Sequence, residues 1–144
     1  MPLAPLTTLG VGGPARHYLL AESPEDIEAG VRWASARGLP LLILGGGSNL
    51  VVADEGFPGL VLHLATRGLE TRVVGDSIEL TAAAGEEWDD VVALVVERGW
   101  AGIECLSGIP GRLGATPIQN VGAYGQEIAE TLLRLEALDL ASGE

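Results

Sequence analysis

Lysine is missing from this 144-residue chain: all eight basic residues are arginine, set against twenty acidic ones, for a formal net charge of −12. No basic cluster exists to neutralise a phosphate backbone, which excludes a nucleic-acid groove. The Walker phosphate loop, which needs a lysine, is excluded with it. An anionic ligand would have to be held by backbone amides, helix ends and one or two arginines. The single cysteine, Cys105, rules out an internal disulfide and fits a reducing compartment. No segment approaches the roughly 20 apolar residues of a membrane span. The opening Met-Pro-Leu-Ala-Pro-Leu has neither the basic region nor the apolar run of a signal peptide. The cytoplasm is the expected compartment. His17 and His63 have no metal-ligand spacing, so no metal site is expected. Ser48 and Ser107 have no evident base partner, which gives a hydrolase little support.

What is present is globular material, with 47% hydrophobic and 19% charged residues in a length that can bury a core. The organising stretch is 41–49, Leu-Leu-Ile-Leu-Gly-Gly-Gly-Ser-Asn. Four aliphatic residues predict a buried strand over 41–44. Three glycines then free the backbone for positive φ and close approach to a ligand. With the Ser48 hydroxyl and the Asn49 amide, the loop is rich in donors at a strand's carboxyl end, where backbone N–H groups can cradle a phosphate. A plain tight turn is the alternative.

In chain order, residues 7–15 formally match a dinucleotide glycine pattern at Gly10, Gly12 and Ala15. No strand precedes them, however, and Pro14 interrupts the helix start, so an irregular arm is expected. Residues 16–21 read as a strand. Ser23 caps a helix that has Pro24 at its first position, Glu25 and Asp26 in its first turn, and Ile27, Val31 and Ala34 on one face. Gly38 and Pro40 stop it. Strand, helix and the 41–44 strand form a parallel crossover. Further strands are expected at 60–64, 71–74 and 78–83, the last two joined by a Gly75-Asp76-Ser77 hairpin loop. Residues 81–85 are all small, which marks a close approach. A second helix over 87–98 presents Trp88, Val91, Val92 and Val95 on one face and ends at Gly99. The pattern reads as α+β in two small lobes, about 1–66 and about 67–144. Residues 132–140 read as a strand followed by the start of a hairpin turn in Ala-Ser-Gly-Glu. Its returning partner is lacking, which suggests the front part of a longer protein.

Residues 105–125 carry five glycines and two prolines between apolar flanks, with Arg112 the one charge. The stretch reads as buried but irregular, and a large polar ligand would satisfy its backbone groups. Leu-Gly-Gly-Gly-Ser-Asn-Leu at 44–50, together with Ile-Pro-Gly-x-x-Gly-Ala-x-Pro-Ile-Gln-Asn-Val-Gly-Ala-Tyr-Gly at 109–125, resembles the UDP-N-acetylenolpyruvoylglucosamine reductase family. Thr-Thr-Leu-Gly-x-Gly-Gly-Pro-Ala-Arg at 7–16 resembles its opening.

The resemblance implies a vanillyl-alcohol-oxidase (PCMH)-type FAD-binding fold in two α+β lobes, with the flavin between them and the C-terminal substrate domain absent. It implies that Gly45, Gly46, Gly47, Ser48 and Asn49 hold the FAD pyrophosphate and that Leu50 lies against the cofactor. Ile109, Pro110, Gly111, Gly114, Ala115, Thr116, Asn120, Gly122 and Ala123 would wrap the flavin and its ribityl chain. Tyr124 would stand at the substrate mouth; the alternative is a buried aromatic with a satisfied hydroxyl. Arg112 is expected at the surface and Cys105 as a packed thiol. The implied reaction passes a hydride from NADPH through FAD to UDP-N-acetylglucosamine enolpyruvate, giving UDP-N-acetylmuramate for peptidoglycan. The family's catalytic acids lie beyond residue 144, so no catalytic residue is assigned and the fragment alone is expected to be inactive. Two other readings are another oxidoreductase on this fold and a non-catalytic nucleotide-binding module.

Overall fold

Ser23 shows how closely the first helix follows its sequence signals. In the computed structural model, which describes residues 1–140 and Ser142, the Ser23 hydroxyl accepts from the Asp26 amide at 3.2 Å. The Asp26 carboxylate accepts from the Ser23 amide at 3.0 Å. This capping box satisfies two amides that a helix start otherwise leaves without partners. It also holds the Asp26 carboxyl below its usual range, the Ser23 hydroxyl being the main cause.

The capped helix α1 (Pro24–Ser35) links strand β1 (Ala15–Ala21) to β2 (Leu41–Leu44), and β3 (Phe57–Leu64) follows. All three strands are parallel in the order β1-β3-β2, so the last strand in sequence is the central one. Val31 of α1 packs with Ala21 and Leu62 on one face of the sheet, and Ala34 of α1 is buried as well. Helix and sheet meet at Gly30, where an added Cβ would stand 2.9 Å from the methyl ends of Leu19 and Leu62. The other face buries Leu3, Ala15, Leu44, Val52 and Val61, with Leu3 supplied by the amino-terminal arm.

The chain divides into two compact units: Met1–Thr66 with the described residues from Glu136 onward, and Arg67–Leu135. The second unit opens with a hairpin of β4 (Leu69–Val74) and β5 (Ser77–Ala82). Val74 pairs with Ser77, so the loop is Gly75-Asp76 alone. Positive φ at Gly75 and not at Asp76 is the pattern of a type II′ turn. Helix α2 (Trp88–Glu97) buries Trp88, Val91, Val92 and Val95, and Gly99 ends it at φ +68°. Beyond it the backbone is mostly irregular, with a one-turn helix α3 (Thr116–Gln119) and a short hairpin of β6 (Gly122–Ala123) and β7 (Gln126–Glu127). Trp88, Val92, Leu106, Val121 and Ile128 form the core beneath them.

Three expectations change. β2 is not a buried strand: as the sheet edge it buries only Leu44 and leaves Ile43 42% exposed. β3 starts three residues earlier than its aliphatic run, because Phe57 already pairs with Ala15 of β1. Residues 132–140 form no strand among the described residues, since no neighbouring strand offers them a ladder. Leu132, Leu133, Leu135 and Leu140 are exposed, while Leu138 packs on the α1 face of the first unit's sheet. The hairpin turn expected after residue 140 falls largely outside the described residues. No helix among the described residues is long and apolar enough to cross a membrane.

Truncation separates core from surface along these strands. Leu62→Ala, at a site with no exposed area, lowers unfolding free energy by about 2–5 kcal/mol. Leu20→Ala, at a site 41% exposed, lowers it by well under about 2 kcal/mol. Urea titrations of the two variants beside the parent check the contrast.

Candidate functional site

Each unit carries one of the two motif segments. In the first, β2 ends at Leu44 and the chain turns through Gly45, Gly46 and Gly47 at the carboxyl end of a parallel sheet, the end at which open α/β sheets bind ligands. Only Gly47 of the three has positive φ, +66°. Positive φ of this kind is one of the two backbone conformations from which anion-binding nests are built. Among the described residues the three glycine amides donate no turn or loop hydrogen bond. Gly46 and Asn49 are exposed, Gly45 and Ser48 half-buried, and Gly47 buried. Gly47 has no room for a side chain, because a Cβ there would lie 2.0 Å from the Leu6 carbonyl oxygen. Leu50 packs on the core around Leu44 and Val61.

In the second unit, residues 109–116 lie against the small-residue stretch that ends β5, which accounts for the expected close approach at 81–85. Leu113 N–H donates to the Glu86 carbonyl at 2.8 Å and Gly114 N–H to that of Ala84 at 2.9 Å. A Cβ on Gly114 would stand 2.7 Å from the Ala84 methyl. Gly111 O accepts from the Trp88 amide at 3.1 Å. Ile109 and Ala123 pack on the Trp88 core, Pro110 is exposed and Ala115 half-buried. Thr116 is buried, its hydroxyl donating to Leu113 O at 2.8 Å.

An open cleft of about 650 Å³ is lined by Ile109, residues 119–127 and Glu130. Asn120 closes α3 in the left-handed region, at φ +42°. Its side chain is engaged within the protein, donating to Glu127 at 2.8 Å and accepting from the Ala129 amide at 3.2 Å. Gly122, exposed, pairs with Glu127 across the hairpin. Tyr124 sits at the hairpin tip with φ +51° and 92% of its surface exposed. With Gly125 also at positive φ, this is a type I′ turn, which ordinarily carries Asn or Gly. The left-handed region costs a tyrosine about 1–2 kcal/mol, and such strain gathers at ligand sites. The buried-aromatic alternative for Tyr124 is therefore overturned.

Two other expectations are corrected here. The 105–125 stretch is only partly buried: Leu106, Thr116 and Val121 are inside, whereas Ile118 is 84% exposed. Several of its backbone groups bond to α2, to residues 84–86 and to one another. Arg112 is not at the surface. Only 15% of its side chain is exposed; it pairs with Glu87 at 3.0 Å and donates to the Gly85 carbonyl at 2.7 Å. Its Nε is a buried donor without a hydrogen-bond partner among the described residues. A lone charge in an apolar-flanked stretch was the signal for an internal clamp.

Sequence reasoning also missed three braces. The Asp89 carboxylate accepts from Gly108 N–H at 2.7 Å and from the Ser107 hydroxyl at 2.8 Å. The Gly108 amide first, and then the Ser107 hydroxyl, hold the Asp89 carboxyl below its usual range. Gln126 accepts from the half-buried Cys105's amide at 2.8 Å, tying the Tyr124 hairpin to the 104–106 turn. Tyr18 and His63, whose hydroxyl and Nδ1 lie 2.7 Å apart, bridge β1 and β3. Among the described residues no cluster of His, Cys, Asp or Glu could hold a metal ion.

Residues 15–144 match the FAD binding domain family. A protein called UDP-N-acetylenolpyruvoylglucosamine reductase in Saccharopolyspora erythraea is 58% identical over 98% of this chain and 39% of its own length. Its namesake in Streptomyces coelicolor is 57% identical over 99% of this chain and 36% of its own length. The chain thus spans less than half the length of the curated relatives it matches. The crystal structure of UDP-N-acetylenolpyruvylglucosamine reductase from Thermus caldophilus is similar with a TM-score of 0.67 and 34% identity, over 90% of this chain and 44% of that one. The fold is accordingly the α+β FAD-binding fold of that enzyme.

A folded-state pKa held low means that the Asp89 contribution to stability is present above the unfolded carboxyl value, about 3.9, and is lost as pH falls through the lower folded value. Asp89→Asn therefore lowers the melting temperature at neutral pH. Its deficit relative to the parent shrinks as pH falls from about 5 toward 2, where the parent carboxyl protonates. Melting curves over that range, recorded for both proteins, give the comparison.

Proposed function

Because the chain belongs to the FAD binding domain family, we propose that it is the FAD-holding part of a UDP-N-acetylenolpyruvoylglucosamine reductase. The observation that carries this reading is the amide-donor loop at 45–49, built at the carboxyl end of a parallel sheet in a protein with no lysine. A donor set of backbone N–H groups, with Gly47 turned to positive φ, suits a pyrophosphate. Gly45, Gly46, Gly47, Ser48 and Asn49 take the role of pyrophosphate ligands, with Leu50 behind them.

The 109–123 segment takes the flavin and ribityl portion. It includes Ile109, Pro110, Gly111, Gly114 and Ala115; its backbone is held at Gly111 by the Trp88 amide and at Leu113 and Gly114 by residues 84–86, and Thr116 and Asn120 act chiefly as internal braces. Gly122 and Ala123 carry the hairpin that presents Tyr124 to substrate. FAD, when bound, supplies hydride transfer between NADPH and the enolpyruvyl double bond of UDP-N-acetylglucosamine enolpyruvate. The product, UDP-N-acetylmuramate, serves peptidoglycan synthesis, and through it cell shape and division.

This chain's residues bind and orient. None is assigned the proton, since the Ser107 hydroxyl is given to Asp89 and Cys105 lies half-buried. The proton-donating groups belong to the part of the enzyme that this chain does not span, and the chain alone is expected not to turn over.

An absorption spectrum of the purified protein after incubation with FAD and desalting tests the reading. The expected result is a retained two-band flavin spectrum; a colourless, folded protein overturns it. Gly46 is exposed and without positive φ, and Gly46→Asp sets a carboxylate against the pyrophosphate. Its FAD dissociation constant rises about tenfold or more, roughly 1.4 kcal/mol, as read from flavin fluorescence.

A further inference from the structure

The hairpin that carries Tyr124 has two residue pairs, Gly122 with Glu127 and Ala123 with Gln126. A ladder of that length is marginal by itself. Its tip also sets a tyrosine at φ +51°, where glycine or asparagine would be at ease. The two-residue loops that commonly close such a hairpin, types I′ and II′, both require positive φ at the first loop position. While Ala123 stays paired with Gln126, therefore, Tyr124 is held there. When that pair opens, the backbone is free to relax to negative φ, and the ring leaves the fold in another direction.

What keeps the pair closed lies on its flanks. Val121 and Ile128 are buried, and the Ile128 N–H donates to Val121 O at 3.0 Å, which fixes the base of the hairpin. Nearer the tip, the Gln126 side chain reaches the 104–106 turn, where its Oε1 accepts from the Cys105 N–H at 2.8 Å. Its amide nitrogen donates to the Glu104 carboxylate. That carboxyl is held below its usual range by its own amide first, then by the Gly102 amide, then by Gln126. The turn is a firm anchor, because Leu106 is buried in the Trp88 core and its carbonyl takes the indole N–H at 2.9 Å. Gln126 borders the open cleft, yet its oxygen and its nitrogen are both engaged within the protein. Its influence on a ligand passes through the hairpin.

We propose that Gln126 is a positioning residue for substrate recognition: its bond to the Cys105 amide keeps Ala123 and Gln126 paired, and that pairing holds Tyr124 at the backbone angle from which its ring meets the substrate. This rests on the reading above in which Tyr124 is presented to substrate. The strain at Tyr124 and the net worth of one hydrogen bond are of the same order. Loss of the Gln126 bond therefore shifts the tip without unfolding the core beneath it.

The test is a double-mutant cycle on the full-length reductase chain carrying this segment, loaded with FAD. Gln126→Met keeps the length of the side chain and removes its amide, and Tyr124→Ala removes the ring. The parent, both single variants and the double variant are assayed with NADPH for the KM and kcat of UDP-N-acetylglucosamine enolpyruvate. Bound flavin is read from its absorption.

Gln126→Met is expected to raise KM about fivefold, with kcat within about twofold of the parent and flavin retained. In the Tyr124→Ala background the same change adds less than about twofold, because no ring is left to aim. Gln126→Asn, one methylene short of the Cys105 amide, moves KM the same way and decides the matter if Gln126→Met does not fold. A KM within about twofold of the parent overturns the inference. An equal penalty with and without the Tyr124 ring also overturns it, as does loss of flavin or of fold in both Gln126 variants, since Gln126 then serves only the fold or the cofactor. Tyr124→Ala with the parent's KM overturns the substrate reading of Tyr124 itself, and a folded, flavin-loaded parent without turnover overturns the reductase reading.

Discussion

An irregular backbone needs a fixed point, and in the second unit that point is the Trp88 indole. It is 1% exposed, and its N–H donates to the Leu106 carbonyl at 2.9 Å, while its amide donates to Gly111 O at 3.1 Å. One residue at the start of α2 thus holds both ends of the 106–111 segment. A buried indole must find an acceptor, and a segment with few periodic bonds must find donors. Each need meets the other. Leu106, Val121 and Ile128 close around the ring, and the 104–130 stretch keeps its shape with only two residues per strand in its one hairpin.

In the first unit the corresponding constraint is that β3 pairs on both sides while β2 pairs on one. The arm, Leu44, Val52 and Val61 make the core on one face, and α1 makes it on the other. The glycine loop leaves this framework at a buried residue, Leu44, and is buried again at Gly47. Its exposed part is therefore a short span between two fixed positions, which is how a loop of three glycines keeps a definite conformation despite its intrinsic freedom.

Periodic and capped elements were legible in the sequence. Ser23, Pro24 and Asp26 marked α1, the Trp88–Val95 spacing marked α2, and Gly75-Asp76-Ser77 marked the hairpin, though its loop is one residue shorter, because each signal acts over a few neighbouring residues. The glycine loop was legible as a donor-rich loop for the same reason, though which glycine takes positive φ was not. Long-range facts escaped. Aliphatic content at 41–44 cannot say whether a strand is central or at an edge, and the strand pattern at 132–140 cannot say whether a partner is at hand. Arg112 was misplaced because its environment is made by Gly85 and Glu87, more than twenty residues earlier. The arm's contact with Gly47 joins residues some forty positions apart, and no local pattern announces it.

Tyr124 gives the last consequence. A tyrosine at the first position of a type I′ turn, fully in solvent, contributes nothing to the fold that asparagine would not do better. Selection for expression or heat resistance would replace it readily. Any redesign guided by folding energy alone would also choose the variant that discards the residue proposed to meet substrate. Residues that a stability criterion would reject, in a protein otherwise locally consistent, can therefore serve as pointers to what selection retained for use.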